Sequence, residues 1–571
     1  MTTEADMDTH QLDTAIAELA AGKDRWAALP VEERIAYLRT VHAGVAAVAG
    51  EWVTAACAAK GIPAGSPLAG EEWISGPYAV LGWLGAITET LQAVAEGKDP
   101  LAGLPARQRP DGQTVVRVMP YDATERLLLH GFSVEVWMEP GVTPATLREH
   151  AAARYRRPAP ESGKVALVLG AGNISSIAPL DVLYKLYVDG EVVILKMNPV
   201  NDYLGPILQR AFAALVDDGY VRFAYGGGDV GAYLCRHEGI DTIHITGSER
   251  THDAIVYGAG PDGAARKARD ERVLDKPVTS ELGGVGGTIV VPGEWSEADF
   301  AFQAEHIATQ KLHNSGFNCV ASQVLVLPEA WDGTPKLLDA VRKVLAEAPA
   351  RPAYYPGADD RRSAAAAEYD GAETIGGRTL ICGVDSSQPK EYAFTEEFFA
   401  PALAVTTLPG NGAAEFLRNA VRFANESLHG TLGANIIIDP RTARRLGGNL
   451  EDAVAGLRYG TVAVNVWTAL GYLNPRAVWG AFPGHTYDDV QSGIGVVHNA
   501  LLLDKAQKTV ARGPFRPSPR SLLRGEFALS PKPPWFVTNR TADTTGRRLT
   551  DLAKDGKARH LPGIFASALR G

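Results

Sequence analysis

The sequence is poor in cysteine and has no paired metal-ligand spacing. Its 571 residues include four cysteines that stand far apart, namely Cys57, Cys235, Cys319 and Cys382. Zinc sites and disulfide frameworks use cysteines at close, paired spacings, so this pattern predicts neither. Each cysteine is therefore considered as a single thiol, and no metal site is expected.

Basic clusters and long apolar runs are missing as well. The formal net charge is −10, and no block of Lys and Arg is long enough to neutralise a run of nucleic-acid phosphates. The chain begins acidic, and its most apolar stretches, such as 164–188, are interrupted well before the roughly 20 residues of a membrane span. These absences predict a cytoplasmic protein without a secretory signal, a membrane span or a nucleic-acid partner.

The composition that remains is typical of a soluble α/β protein. Apolar residues make up 46% and charged residues 21% of the chain, whose length suggests about two to four domains. Residues 10–100 place apolar side chains three and four positions apart, which predicts helices. Residues 113–139 contain two alternating apolar and polar runs, which predict a hairpin or an extended arm.

Repeated βα units are predicted from Lys164 onward. Short apolar runs alternate with helix-length segments: KVALVL, EVVILK, VRFAYGG and DTIHITGS. This pattern favours a parallel sheet and a nucleotide-binding core. A second set, from GTIVVPG to TVAVNVW, is interleaved with helical stretches at 335–347 and 412–425 and predicts a second α/β domain. The proline-rich segment 516–571 is interpreted as an appended tail that packs on the surface or reaches a neighbour.

Two glycine-containing turns follow predicted strands. The segment GAGNIS at 170–175 lacks the third glycine of a dinucleotide fingerprint, and the next strand ends in Lys196 rather than in an acidic residue. A conventional Rossmann dehydrogenase is therefore disfavoured. Gly247 and Ser248 precede a predicted helix at 249–257, a junction that caps a helix and also suits a phosphate.

Two side chains are candidates for catalysis. Glu281 lies beside a glycine pair and would be a general base if buried, although a lone Glu next to glycines is more often a solvated loop residue. Cys319 precedes the predicted strand QVLVLP and would be a nucleophile if its thiolate were stabilised, although most single cysteines are inert. Each signal alone is weak.

In their order along the chain, these segments resemble the aldehyde dehydrogenase superfamily. The resemblance covers roughly residues 10–515 and is carried by GNISS, VVILKMNP, HEGIDTIHITGS, SELGG, GFNCVASQVLVLP, FTEEFFAP, FANESLHGTLGANI and YGTVAVN. It implies an aldehyde-dehydrogenase-like α/β fold. The expected parts are a Rossmann-like nucleotide-binding domain (1–112 and 148–283), an α/β catalytic domain (284–489), a β oligomerisation arm (113–147 and 490–515) and a C-terminal extension (516–571).

The resemblance also implies a reaction. Cys319 matches the nucleophile, Glu281 the base that activates water, and Asn173 the side-chain amide that holds the oxyanion together with the Cys319 backbone N–H. An aldehyde would be oxidised to a carboxylic acid by way of a cysteine thiohemiacetal and a thioester. In this sequence Ile174 and Ser175 follow Asn173, where the family commonly has an aromatic residue and proline, so the pocket is expected to be reshaped.

The implied cofactor is NAD or NADP. Lys196 matches the lysine at the adenine-side ribose, and Gly247 and Ser248 lie where the phosphates meet a helix N-terminus. Glu397 and Phe399 match residues that position the nicotinamide ribose and ring. Many members have an acidic residue three positions after the lysine that disfavours a 2′-phosphate, whereas this chain has proline there, so both cofactors stay open.

The implied partners are a small aldehyde and further copies of the chain. Five apolar residues near the expected substrate entrance suit an apolar or aromatic aldehyde, although a plain core cluster explains them equally well: Trp467, Leu470, Tyr472, Trp479 and Phe482. The arm implies a homodimer or homotetramer.

Two alternatives stay open. The chain could be a coenzyme A-acylating aldehyde dehydrogenase or an acyl-CoA reductase of the same superfamily, in which a thiol takes the place of water; Glu281 favours hydrolysis. It could also be a catalytically silent member retained for structure or binding. The complete set Asn173, Glu281 and Cys319 argues against a silent member.

Overall fold

The computed structural model describes residues 6–158, 160–388, 390–516, 526, 528 and 531–571. Its α-helices are α1 Thr9–Ala28, α2 Val31–Ala59, α3 Ala69–Trp73, α4 Ala79–Ala95, α5 Ala123–Leu128, α6 Ile177–Tyr184, α7 Gly205–Ala211, α8 Ala213–Asp217, α9 Gly228–Arg236, α10 Glu249–Val256, α11 Gly260–Lys267, α12 Glu297–Leu312, α13 Gly333–Glu347, α14 Ala358–Ala367, α15 Tyr392–Thr395, α16 Ala413–Ser427, α17 Pro440–Leu446, α18 Gly448–Gly456, α19 Ala469–Leu473, α20 Ala542–Asp555 and α21 Leu561–Ala568.

Its strands are β1 Ala106–Gln108, β2 Thr114–Met119, β3 Ser133–Met138, β4 Val165–Leu169, β5 Val192–Lys196, β6 Val221–Ala224, β7 Thr242–Gly247, β8 Val278–Leu282, β9 Gly286–Val290, β10 Ser322–Pro328, β11 Ala372–Ile375, β12 Arg378–Val384, β13 Ala402–Leu408, β14 Gly433–Ile437, β15 Thr461–Val464, β16 Val478–Gly480, β17 Gly493–Ile494, β18 Val496–His498 and β19 Ala506–Arg512.

The first large sheet contains the predicted nucleotide-binding strands. Its order is β17-β8-β7-β4-β5-β6, and all neighbours except β17 and β8 run parallel. Strands β4 and β5 are almost entirely buried, as expected for continuous apolar runs in a sheet covered on both faces. The parallel order brings the carboxyl ends of β4, β5, β7 and β8 to one edge, where a ligand cleft is expected.

The second sheet contains eleven strands in the order β1-β2-β3-β19-β15-β14-β9-β10-β13-β12-β11. The hairpin predicted at 113–139 is present as β2 and β3, and it continues the chain's own sheet through β19. Leu127 and Leu128, which begin the second apolar run (LLLHGFSVEVWM) of the segment predicted to be a hairpin or an extended arm, belong instead to α5. The Asp122 side chain accepts a hydrogen bond from the Glu125 N–H and so caps this helix.

The helical prologue packs against the first sheet. Helix α2 has the length and apolar composition of a membrane-spanning helix. In this fold one of its faces, including Leu38, Val45 and Trp52, is buried, and α2 packs against α4 and α7. The opposite face exposes Arg39 and Glu51, which is the pattern of a helix that covers a protein core.

The last part of the chain is more regular than expected. The described part of the predicted tail, from 531 onward, contains α20 and α21 and packs on the molecule's own surface. Helix α20 lies against α3, where Trp73 Nε1 donates a hydrogen bond of 3.0 Å to Asp543 Oδ1. Most of 517–530, also assigned to the tail, lies outside the described residues.

Candidate functional site

A cleft of about 1840 Å³ runs along the carboxyl edge of the first sheet and reaches the second. All eight residues singled out in the sequence line it: Asn173, Lys196, Gly247, Ser248, Glu281, Cys319, Glu397 and Phe399. Four of the strands that deliver them are parallel, so their carboxyl ends meet at one edge. Residues separated by more than 200 positions are thus brought to one surface.

Glu281 and Cys319 face each other at the inner end of the cleft. The Cys319 Sγ lies 3.7 Å from Glu281 Oε1, in position to donate a hydrogen bond to it, and the same oxygen accepts a hydrogen bond of 2.7 Å from Trp479 Nε1. The expectation of a solvated loop glutamate is wrong. Glu281 lies on β8 between β7 and β17 and is 2% exposed.

Burial controls the proton affinities of this pair. Burial, together with the nearby carboxylate of Asp181, raises the pKa of Glu281 to about 8, although the Trp479 hydrogen bond lowers it. Burial also raises the pKa of Cys319 well above its usual value, and the charge of Glu281 raises it further. At neutral pH the thiol keeps its proton. Ionised Glu281 is the nearest described group that can accept it.

Asn173 lies in the loop after β4 and is tied to the turn before Cys319. Its Nδ2 donates to the Phe317 carbonyl at 2.9 Å, which leaves its second amide hydrogen for another acceptor. The Asn173 carbonyl accepts hydrogen bonds from Lys60, Asn314 and Tyr354 at 3.0, 3.1 and 3.0 Å. Both segments proposed to stabilise an oxyanion are thus held together before any substrate arrives.

A buried polar network that the sequence did not reveal supports this arrangement. Lys60, at the end of α2, also donates to Glu72 Oε1 at 2.8 Å and to Asn314 Oδ1 at 3.1 Å. Asn314 and Ser315 adopt left-handed backbone conformations, with φ of 53° and 57°, which are unfavourable for residues with a side chain. No local pattern marks Lys60, because Glu72 is 12 positions away and Asn173 and Asn314 are more than 100 positions away.

The outer part of the cleft fits a dinucleotide. Gly227 and Gly228 start α9, and a Cβ added at either position would meet no atom within 4 Å. A bound group can therefore approach the backbone N–H groups closely. Ser248 caps α10 by accepting a hydrogen bond from the Thr251 N–H, and Lys196 supplies a positive charge at the end of β5.

Glu397 and Phe399 lie between the outer part of the cleft and the inner end that contains Glu281 and Cys319. A Cβ at Gly283 would be 2.2 Å from the Glu397 carboxylate, which explains why glycine stands there. Burial raises the pKa of Glu397 to about 7, while a hydrogen bond from the Gly284 backbone and the charge of Lys311 lower it. The Phe399 ring packs against Phe317, with ring centroids 5.7 Å apart.

On the other side of Cys319 is a smaller apolar pocket of about 50 Å³. Four of the five apolar residues expected at a substrate entrance line it, namely Trp467, Leu470, Tyr472 and Trp479. Phe482 lies outside this pocket, 5.3 Å from the Lys508 ammonium group. The pocket also contains Trp535, which the sequence did not identify because it lies in the predicted tail.

A model described as "Aldehyde dehydrogenase family" matches residues 184–477, about half of the chain. The match includes Lys196, Glu281, Cys319 and Glu397. N-succinylglutamate 5-semialdehyde dehydrogenase 1 of Caulobacter vibrioides is 28% identical over 277 residues, 45% of this chain and 54% of the relative. D-glyceraldehyde dehydrogenase (NADP(+)) of Thermoplasma acidophilum is 24% identical over 284 residues, with the same shares covered. The chain thus spans about half the length of these curated relatives.

Solved structures show the same fold over most of the chain. The crystal structure of an indole-3-acetaldehyde dehydrogenase with NAD+ aligns with a TM-score of 0.58 at 18% identity and covers 89% of each chain. The NADP-dependent glyceraldehyde-3-phosphate dehydrogenase of Bacillus halodurans with NADP aligns with a TM-score of 0.57 at 18% identity and covers 89% of this chain and 91% of that one. At this identity the likeness establishes the fold.

Proposed function

The chain belongs to the aldehyde dehydrogenase family, and on that basis we propose that it oxidises an aldehyde to a carboxylic acid through a thioester on Cys319. The observation that carries the proposal is the contact of 3.7 Å between the Cys319 thiol and the buried Glu281 carboxyl group. A soft nucleophile and a base with a pKa near neutrality are thereby placed together.

The chain's residues divide the chemistry between them. Ionised Glu281 takes the thiol proton, and Sγ adds to the aldehyde carbon. The free amide hydrogen of Asn173 and the Cys319 backbone N–H stabilise the resulting oxyanion. Glu281 then releases the thiol proton to solvent, which is the proton of the net reaction. After oxidation leaves a thioester, ionised Glu281 takes a proton from water, the water oxygen adds to the thioester carbon and displaces Sγ, and Sγ regains a proton from Glu281 as the acid leaves. The net reaction converts aldehyde, water and oxidised cofactor into acid, reduced cofactor and one proton.

The proposed cofactor is NAD or NADP, which accepts the hydride when it is bound in the cleft. We assign Lys196 to the adenine-side ribose, Gly247 and Ser248 to the phosphates, and Glu397 and Phe399 to the nicotinamide end. In the corresponding division of the chain, residues 1–112 and 148–283 bind the cofactor, and 284–489 supply the nucleophile. Pro199 carries no charge where many family members have an acidic residue, so the proposal includes NADP as well as NAD.

We propose an apolar aldehyde as substrate, because the pocket beyond Cys319 is lined mainly by aromatic and aliphatic side chains.

The proposal also includes a homo-oligomer. Strand β1 is exposed along its whole length and is the outermost of the described strands in its sheet, so we propose that its outer edge meets a second copy. A solution mass of a single chain would contradict this part of the proposal.

An aldehyde panel tests the reaction. Purified protein is assayed with NAD and NADP, each with and without coenzyme A, together with Cys319→Ser and the control Cys382→Ser, whose half-buried thiol contacts Arg342 in the second domain. We expect reduction of cofactor without coenzyme A, loss of at least about 10³-fold in Cys319→Ser, and wild-type rates in the control. Strict dependence on coenzyme A would instead support the acylating alternative.

A further inference from the structure

The apolar pocket beside Cys319 is small. It holds about 50 Å³ and is walled by Ile74, Ile174, Trp467, Tyr472, Trp479 and Trp535, among others. One water molecule needs roughly 10–15 Å³ of such space, so the pocket accommodates only a few non-hydrogen atoms. A substituent on an aldehyde bound at Cys319 has to fit this space or displace a wall.

Trp535 is the most C-terminal of the residues that line this pocket. It lies in the segment that precedes α20, and its half-buried ring meets the Phe132 ring edge to face, with centroids 6.1 Å apart and planes at 73°. The indole therefore spans the gap between the pocket and the core of the hairpin β2–β3. Removing it would open the pocket outward.

The residues around Trp535 fix its position on helix α12, which leads directly to the turn before Cys319. The Phe536 ring stacks against His306 and Phe302, with centroids 5.6 and 5.3 Å away. The Val537 N–H donates to Thr309 Oγ1 at 3.2 Å, and Lys532 pairs with Glu305 at 2.8 Å, both partners lying on the same helix.

Helix α20, which follows Trp535 in the chain, anchors the segment that carries Trp535 at a second place. Ala542, the first residue of α20, lies so close to Gly70 that a Cβ there would be 2.4 Å from the Ala542 carbonyl carbon. Gly70 belongs to α3, which leads to Ile74 in the pocket wall. Because the segment is fastened at α12 and at α3, Trp535 is a fixed wall.

We propose that Trp535 is a specificity-determining residue that limits the enzyme to aldehydes with short apolar substituents. The inference rests on the proposed function, since it concerns the substrate of that same site. It assigns to the C-terminal extension, which lies outside the matched family segment 184–477, a direct part in forming the acyl pocket.

Relative kcat/KM values for straight-chain aldehydes from propanal to octanal test this inference. We expect Trp535→Ala to raise the octanal-to-propanal ratio by at least about tenfold, since a methylene excluded or admitted by an apolar pocket changes kcat/KM by roughly 10- to 200-fold. Trp535→Leu, which keeps an apolar side chain, is expected to shift the ratio in the same direction and serves if the alanine variant does not fold.

Trp331→Ala is the matched control. Trp331 is also a half-buried tryptophan among aromatic neighbours, but it lines neither cavity, so its loss should leave the ratio unchanged. If folded, active Trp535 variants kept the wild-type octanal-to-propanal ratio, the inference about Trp535 would be overturned, while the proposed function would stand. A wild-type enzyme that oxidised no aldehyde of the series would overturn the proposed function, and the inference with it.

Discussion

At the residue scale, the behaviour of the site depends on how strongly Glu281 holds its proton. Burial favours the neutral acid, whereas the Trp479 hydrogen bond of 2.7 Å favours the carboxylate. A hydrogen bond to a charged group contributes roughly 1.5–3 kcal/mol, and one pKa unit corresponds to about 1.4 kcal/mol. Trp479 therefore helps to keep the pKa of Glu281 at about 8, within reach of physiological pH.

The pH dependence of turnover should follow from this balance. Because the proposed base is the ionised carboxylate, steady-state turnover of the wild type is expected to rise with pH through a midpoint near 8. Trp479→Phe removes the hydrogen bond to the carboxylate, so the midpoint should move upward by about one unit. Trp467→Phe is the control, since Trp467 lines the same pocket but donates to the Val320 carbonyl. A midpoint unaffected by Trp479→Phe would refute the assignment of Glu281 as the base.

The sequence identified Glu281 as a candidate base but did not predict its surroundings in the fold. SELGG and the segment around Cys319 pointed to a base and a nucleophile. The burial of Glu281, however, depends on the pairing of β8 with Gly493 and Ile494, and its pKa on Asp181 and Trp479. These partners come from distant parts of the chain, so no local window contains the information.

At the scale of elements, two helices and two loops meet at Lys60. Its ammonium group joins Glu72, the Asn173 carbonyl and Asn314, and both members of the ion pair are almost completely buried. The network holds the left-handed turn at Asn314 and Ser315 in place. Local strain before the nucleophile is thus offset by hydrogen bonds from an N-terminal helix.

Substitution of Lys60 should show whether this residue contributes to activity as well as to the stability of the fold. Lys60→Met leaves the Glu72 carboxylate buried without its cation, so we expect a loss of about 3–5 kcal/mol in the free energy of unfolding, measured with denaturant. Lys60→Met combined with Glu72→Leu should recover most of the stability. The double variant should still turn over about tenfold more slowly, because Asn173 and Asn314 lose a donor. Full activity of the stable double variant would show that Lys60 only supports the fold.

Many of the elements themselves could be predicted from periodicity. The four runs from KVALVL to DTIHITGS became β4, β5, β6 and β7. The segment 335–347 lies within α13, and 412–425 lies within α16 except for its first residue, the N-cap Gly412. Helix α20 was missed because the preceding proline-rich composition dominated the interpretation of the whole tail. Its apolar Leu549, Leu552 and Ala553 at helical spacing, followed by Gly556 with φ of 65°, were the available signal.

At the scale of the whole molecule, two sheets present one continuous cleft that ends at Cys319. The first sheet supplies the edge proposed for the cofactor, and the second supplies the turn that carries Cys319, the proposed nucleophile. The position of the hairpin next to β19 and the return of the C-terminal segment to α3 depend on long-range packing, which composition does not encode. The central claim concerns the point where all these parts meet, the thioester on Cys319.

Trapping that thioester is the most direct test. Glu281→Gln removes the proposed base of both proton transfers, but it also removes a charge that raises the pKa of the Cys319 thiol, so acylation should slow less than hydrolysis and the thioester should accumulate. The variant is incubated with NAD(P) and a short apolar aldehyde, quenched, and analysed by peptide mass spectrometry. We predict one equivalent of reduced cofactor and an added acyl mass on the peptide that contains Cys319. Unmodified Cys319 with an acyl group elsewhere, or turnover by the variant at the wild-type rate, would contradict the account.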